Sequence, residues 1–293
     1  MAARSKTAGL ARPLAVACLL IACYGALIVP FTTYMSNKPF VEKLGYLPRV
    51  EVLQVISADQ KQVVAEGLVM KVLMYFGGLV AKEKTRQLHV PADYMTMSRL
   101  LHGSVKLDPY NMDAYYFAQS ILVWDANQIK IANDLLDYGM KYRTWDWFLP
   151  FFMGFNYGYF LHDYPQAGKY YMKAGQLSGN DLFMNLASRY LNEAGQNELA
   201  IAYLKTMAKT AKNRAVWETL TTRLKSLEAI RSIEQARDAY QRATGHQPAS
   251  VEALLHSGYL KALPKDPYGG TFYLEPDGKV KTTSNFFSTV NKK

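Results

Sequence analysis

Residues able to move protons, attack a substrate or hold a metal are sparse in this chain and poorly spaced for the task. The five histidines are His89, His102, His162, His246 and His256, and none sits in HExxH or another metal-ligand spacing. The chain has no GxSxG, no P-loop and no GxGxxG. Asp134 with Asp137 and Glu193 with Glu198 have the spacing of solvated helix charges. His162 and Asp163 adjoin at a turn between helical stretches, where an aspartate caps the following helix. The two cysteines, Cys18 and Cys23, both lie in the N-terminal apolar run, so the rest of the chain can form no disulfide, CxxC or thiolate metal site. The expectation is a protein with no catalytic residue, no metal and no cofactor, whose chemistry is binding. The net charge of +10 is scattered, with no RNP-type motif, zinc-finger spacing or basic helix. Nucleic acid is therefore not the expected partner, and no small-molecule ligand is indicated, whereas an anionic membrane surface suits a basic protein.

The N-terminus supplies the membrane. Arg4, Lys6 and Arg12 precede an uncharged run from Pro13 to Asn37. A helix needs about 20 residues to cross the hydrocarbon core, and leading positive charges favour a cytoplasmic N-terminus. The reading is a cytoplasmic basic tail at 1–12, a transmembrane helix at 13–35, and the bulk of the chain on the exported, periplasmic side of a bacterial inner membrane. Leu20-Ile21-Ala22-Cys23 resembles a lipobox, which offers the alternative of a lipoprotein anchored at Cys23. The apolar residues after Cys23 favour the spanning helix. A second apolar stretch, Val63 to Val80, is interrupted by Glu66 and Lys71, each costing about 2.5–3.5 kcal/mol at mid-membrane, and is read as a buried helix. Residues 36–90 form a connector and capping helices, with Asp59 expected to cap a helix through Val63, Leu68, Val72 and Leu79.

From there a period appears. Met97, Leu101 and Ser104 are followed by Ala132, Leu136 and Gly139, by Ala167, Tyr171 and Ala174, and by Ala200, Leu204 and Met207. Residues four and seven apart share a helix face, so each triplet is one packing ridge. Small residues at its ends let neighbouring helices approach. The stretch Trp145 to Tyr171, near the middle, holds 12 aromatic residues in 27. It divides into a helix from Trp147 to Leu161 and a second from Asp163 to Leu177.

This pattern resembles the tetratricopeptide (TPR) repeat. Leu107-Asp108-Pro109-Tyr110-Asn111 is similar to that family's inter-repeat turn, Met153-Gly154 with Tyr157 to its first-helix pattern, and Gly195, Ala200 and Leu204 to its second. Two units carry an extra residue, placed between their helices. Over residues 91–213 the resemblance implies a right-handed α-solenoid with a groove lined by first helices. Carried over position by position, the groove residues are Asp113, Tyr116 and Trp124, then Phe148, Phe151, Phe155 and Tyr159, then Asn185, Arg189 and Asn192. An aromatic stripe ordinarily packs inward, but Trp147 to Phe160 has aromatics on every face, so one face must meet a neighbour, a partner or a membrane interface.

Asn213 to Ala243 reads as one long helix ended by Gly245, and residues 214–293 as that helix plus a small α+β module. Ser250 is placed to cap a short helix from Val251 to His256, and a β-hairpin turns across Pro276-Asp277-Gly278. Gly245, Pro248, Leu254, Tyr259-Leu260, Leu263-Pro264, Asp266-Pro267, Gly269 and Tyr273 resemble the C-terminal half of the major pseudopilins of type II secretion. The pseudopilin glutamate-bearing N-terminal helix and Asp-rich calcium loop have no counterpart here, so neither filament formation nor the calcium site carries over. The expected whole is a mostly α protein: a TPR-like α-solenoid with a transmembrane helix and a small C-terminal α+β module. Its expected role is a membrane-anchored scaffold for a protein or peptide partner. The alternatives are an accessory of a type II secretion or type IV pilus-like machine, and a non-catalytic subunit of a cell-envelope enzyme.

Overall fold

The structure, a computed structural model, describes residues 8–37, 44–84 and 92–284. Arg4, Lys6, Pro39, His89 and Pro91 fall outside these residues. The chain is mostly helical, with one small antiparallel sheet among the described residues. It divides into two compact units, Met1–Gly103 and Ser104–Lys293.

In the first unit α1 (Ala8–Asn37) carries the N-terminal apolar run. Its segment Pro13–Met35 is uncovered and is long and apolar enough to cross a membrane. Pro30 cannot donate within the helix, and the nearby Thr32 and Thr33 hydroxyls donate to the Ile28 and Val29 carbonyls. Helix α2 (Val50–Ile56) falls in the stretch read as connector. Asp59 does not cap the next helix. It lies inside a 3-10 turn, Ala58–Gln60, and α3 (Lys61–Lys84) starts after it. The stretch Ala58–Ala81 also meets the length and apolarity of a span, with Glu66 and Lys71 too few to offset the apolar residues around them. One side of α3 is nevertheless buried, through Ala65, Val69, Val72 and Tyr75, and the Tyr75 hydroxyl accepts from the Asp93 amide at 3.1 Å. Helix α4 (Tyr94–Leu107) begins in this unit and ends in the second.

The second unit is a succession of helix pairs. Helix α5 (Met112–Phe117) continues as a π-helical segment, Ala118–Asp125, and pairs with α6 (Ile129–Tyr142). Helix α7 (Phe148–Phe155) continues as a π-helical segment, Asn156–Phe160, and pairs with α8 (Tyr164–Ser178). Helices α9 (Asp181–Glu193) and α10 (Asn197–Thr210) form the third pair, and α11 (Arg214–Thr244) follows. Successive helices pack on one another along the chain. Their starts are set by capping side chains: Asn111, Asp163, Asn180 and Asn213 each accept a backbone N–H of the first turn. Asp146 does the same for the Phe148 amide, while its other oxygen pairs with Arg143 at 2.9 Å.

The ridges lie inside. Ala132, Ala167, Ala174, Ala200 and Leu204 are fully buried, as are Leu136 and Tyr171 to within 2%. Their small residues matter sterically. A Cβ on Gly139 would stand 2.7 Å from the Tyr115 ring, and one on Gly168 would stand 2.7 Å from Leu191. The sequence leads one to expect an extra residue between the helices of two units, but three residues join first to second helix in every pair, at 126–128, 161–163 and 194–196. The N-cap stands 21 residues before the ridge alanine in the first pair, Asn111 to Ala132, and 20 in the second and third, Trp147 to Ala167 and Asn180 to Ala200. The extra residue of the first pair therefore lies in its first helix, where the π-helical segment has room for it, because an i→i+5 turn takes up one residue without displacing the ridge.

Helix α11 ends at Gly245, whose φ of +75° is a left-handed cap. Beyond it come α12 (Val251–His256), capped by Ser250, and strands β1 (Phe272–Leu274) and β2 (Val280–Thr282), in register Phe272 to Thr282 and Leu274 to Val280. This module shares one core with the helices, because Val251, Leu254, Leu260, Phe272 and Val280 cluster with Leu191, Leu220, Leu227 and Ile230. Lys281 reaches both oxygens of Glu193 on α9 at 3.0 and 2.8 Å. Asp266, between α12 and β1, accepts from the Thr282 and Ser284 hydroxyls and from the Tyr268 amide.

The packing at Gly168 yields a direct test. Leu191 is fully buried and its backbone is part of the contact, so Gly168→Ala overpacks the α8–α9 interface. A loss of about 1–3 kcal/mol in urea unfolding is expected, with Gln176→Ala, at an exposed position of the same helix, as a near-neutral reference. A gain in stability, as expected for Gly→Ala at an open helical site, would contradict the close approach.

Candidate functional site

The first helices of the first two pairs each present an outward row. On α5 and its π segment Asp113, Tyr116, Ser120 and Trp124 are exposed three or four apart, with Asp125 exposed beside the last. On α7 and its π segment the facing row is Phe148, Phe152, Phe155 and Tyr159. The rows meet ring to ring. Tyr116 lies 4.7 Å from Phe148 and 5.9 Å from Phe152, centroid to centroid. Trp124 lies 6.0 Å from Phe155, 6.2 Å from Tyr159 and 5.0 Å from Phe160. Phe155 and Tyr159 stack at 5.3 Å with their planes 10° apart. The result is a continuous aromatic surface across two helices, offset and edge-to-face as ring quadrupoles prefer. Its most open members are Trp124, 59% exposed, and Tyr159, 57% exposed.

The structure therefore brings together Tyr116, Trp124, Phe148, Phe151, Phe155 and Tyr159, all predicted from the sequence. Asp113 stands exposed at the head of the Tyr116 row. Phe151 is the most internal of the six, packing on Trp147, Tyr171 and Phe183. Asn185, Arg189 and Asn192 are half-buried on α9, with Arg189 over the Tyr190 ring at 5.5 Å. Beside them α11 closes in: Arg223, itself buried, donates to the Ser188 hydroxyl at 2.9 Å, and Ser188 donates to the Asn185 carbonyl. The α9 end is thus built into the fold, and the open part of the site is the aromatic surface.

Sequence reasoning missed Phe152 and Phe160. Phe152 follows Phe148 by one helical turn, a spacing that was readable. Phe160 reaches Trp124 from within the π segment, whose wider turn cannot be read from residue types. It also missed the polar pair beneath the surface. Gln119 and Asn156, both buried, exchange amide hydrogen bonds at 2.8 Å in each direction. Asn156 spends its second N–H on the Asn133 side-chain oxygen at 2.7 Å. Each partner lies in or beside a π segment, so the pair fixes the register of the two first helices. Buried amides that satisfy one another discriminate strongly against a slipped register, which would orphan them.

Electrostatically the outer surface of these two helices is nearly uncharged. Asp113 and Asp125 are the only ionisable acids or bases of Asp, Glu, Lys, Arg or His in Met112–Asp125 and Phe148–Phe160. Burial raises the Asp125 carboxyl above its ordinary value. Burial also raises the phenols of Tyr115, Tyr171 and Tyr203, and burial with the hydrogen bond to Tyr142 pushes Tyr138 up to about 12. Among the described residues no three His, Cys, Asp or Glu side chains cluster as a metal site would require. In comparisons with known proteins, no family matches the chain, and no curated protein matches it.

The tyrosine shifts fix the sign of an alkaline response. A phenol whose folded pKa is raised stabilises the fold fully below its unfolded value of about 10, and that contribution is lost as pH rises through the folded value. Arg223 acts oppositely. Burial lowers its guanidinium to about 10, so the cost of its charge fades above that pH, but it is one group against four. Stability is expected to fall above pH 10. In an absorbance titration at 295 nm, a late fraction of the 21 tyrosines should ionise together with loss of helical circular dichroism. Complete tyrosine ionisation with the helices intact would contradict the burial of Tyr115, Tyr171 and Tyr203.

Proposed function

We propose that the protein is a membrane-anchored adaptor: a TPR-like α-solenoid held by α1 at the exported face of a bacterial inner membrane, binding a protein or peptide partner. The observation that carries this reading is the aromatic surface, whose Trp124 and Tyr159 rings stand more than half exposed in a chain with ample interior for them. Exposed aromatics clustered on a rigid helical scaffold are the usual anchors of a binding surface, because they bury a large area at low entropic cost. The alternation of first and second helices, with small residues at the ridges, supports the TPR resemblance. The uncovered apolar segment of α1 supports the anchor, and Arg4, Lys6 and Arg12 ahead of Pro13 support an exported bulk. We read the pseudopilin-like segment as a cap on the array rather than a docking element of a secretion machine, because its apolar residues lie in the array's own core.

Trp124→Ala combined with Tyr159→Ala should abolish co-purification of the partner from detergent-solubilised membranes, a loss of roughly 2 kcal/mol or more per anchor. The unfolding midpoint should hardly move, since both rings are largely solvated. A photo-crosslinking residue at position 159, read by mass spectrometry, identifies the partner. An unchanged partner set for the folded double variant would end this reading. Orientation has its own readout: alkaline phosphatase fused after Lys293 should be active, and an inactive fusion would place the bulk in the cytoplasm.

A further inference from the structure

Helix α3 is apolar on two opposite sides, and the fold covers one of them. The inner side, Ala65, Val69, Val72 and Tyr75, is buried. At 100° per residue, Val63, Gly67, Met70, Met74, Gly77 and Ala81 fall within about 40° of one line on the other side, and all six are exposed. Val63 is 66% and Met74 68% open to solvent. Glu66 falls on one edge of this stripe and Lys71 on the other, so its centre carries no charge. The preceding helix adds Val52, Val55 and Ile56, also exposed, and Tyr46 stands outside the fold just before it. A helix apolar on two opposite sides, with one already buried in the fold, has a second side suited to another apolar medium, and a patch of this extent is uncommon on a soluble surface.

We propose that the outward side of α3 lies in the headgroup–acyl boundary of the membrane that α1 enters, so that the first unit rests on the bilayer instead of hanging from it. This rests on the reading of α1 as the anchor. The occupant follows from the chain itself. The apolar span ends at Met35, Tyr46 follows 11 residues later and the stripe begins at Val63, so the tether keeps this side at a high local concentration of lipid throughout the protein's life. The residue types fit. Tyrosine favours the interface, unbranched Met suits a disordered medium, and Glu66 and Lys71 at the edges can extend to the headgroups. Crossing the bilayer is a different matter. It would strip the inner side from its packing and break the bond from the Asp93 amide to the Tyr75 hydroxyl.

The test uses the full chain with Cys18→Ser and Cys23→Ser, reconstituted in phosphatidylcholine–phosphatidylglycerol vesicles and spin-labelled at one introduced cysteine at a time. Val63→Cys, Met70→Cys and Met74→Cys probe the stripe, Leu20→Cys probes α1, and Lys141→Cys is the water reference, its side chain being 66% exposed. The measured quantity is collision with oxygen relative to a water-soluble nickel chelate. The stripe labels should show at least a severalfold higher ratio than Lys141→Cys, approaching that of Leu20→Cys. A lipid-like Leu20→Cys with water-like stripe labels would overturn the proposal and leave the anchor standing. Water-like values at Leu20→Cys as well would remove both. Dipolar broadening between stripe labels on different molecules, with both collision rates low, would show that a second copy covers α3 and would also overturn it.

Discussion

Tyr115 lies against Gly139, and Tyr171 against Gly154, because those positions have no Cβ to hold the rings away. The second unit depends on this close approach. In the first two pairs the first helix lies near enough to the second for one large ring to fill the space between them, while Tyr203 of α10 lies against Gly175 of α8, and Ala132, Ala167, Ala174 and Ala200 line the buried ridges. A dense core built this way tolerates little change in volume. It also relieves other rings of the need to be inside. With Tyr115, Tyr171 and Tyr203 filling the interior, the aromatics of the outward rows are left for the surface.

The aromatic surface and the amide pair beneath it form one construction. Gln119 and Asn156, with Asn133 beside them, are a polar group within a largely apolar seam, and the first two satisfy each other. Their worth lies less in net stability than in excluding alternatives, since any slip between the two first helices would bury amides without partners. The rings above are positioned by that register. At the far end the polar contacts differ in kind: Arg223, Ser188, Lys281 and Glu193 tie α9, α11 and the terminal hairpin together. The succession of helix pairs is therefore covered at α9 and α10 by α11 and the hairpin.

Much of this was legible in the sequence, for physical reasons that can be named. Capping residues such as Asp163 and Ser250 locate helix starts because only a short polar side chain reaches the first-turn amides. The ridge triplets locate the buried seams because burial follows a helical period. Asp59 misled, because a capping residue type can equally occupy a 3-10 turn. The π segments were unreadable, since they have the composition of ordinary helix and differ only in hydrogen-bond span. The Gln119–Asn156 pair was unreadable because its members are 37 residues apart and mean something only once two helices are side by side. Asn185, Arg189 and Asn192 stand half-buried because α11 settles beside α9, a neighbourhood that nothing in the residues of α9 announces.

The π segments have a consequence for how this surface could arise and be lost. The π turn of α5 holds one residue that an ordinary helical turn has no room for. Deleting that residue would turn the residues before it, Asp113 and Tyr116 among them, by about 100° around the helix relative to Trp124 after it, and the buried residues of the same helix with them, so the row could no longer lie on one face. The character of the surface is encoded in segment length as much as in residue type, so two chains of nearly the same composition, differing by one residue here, would present different faces to the same partner.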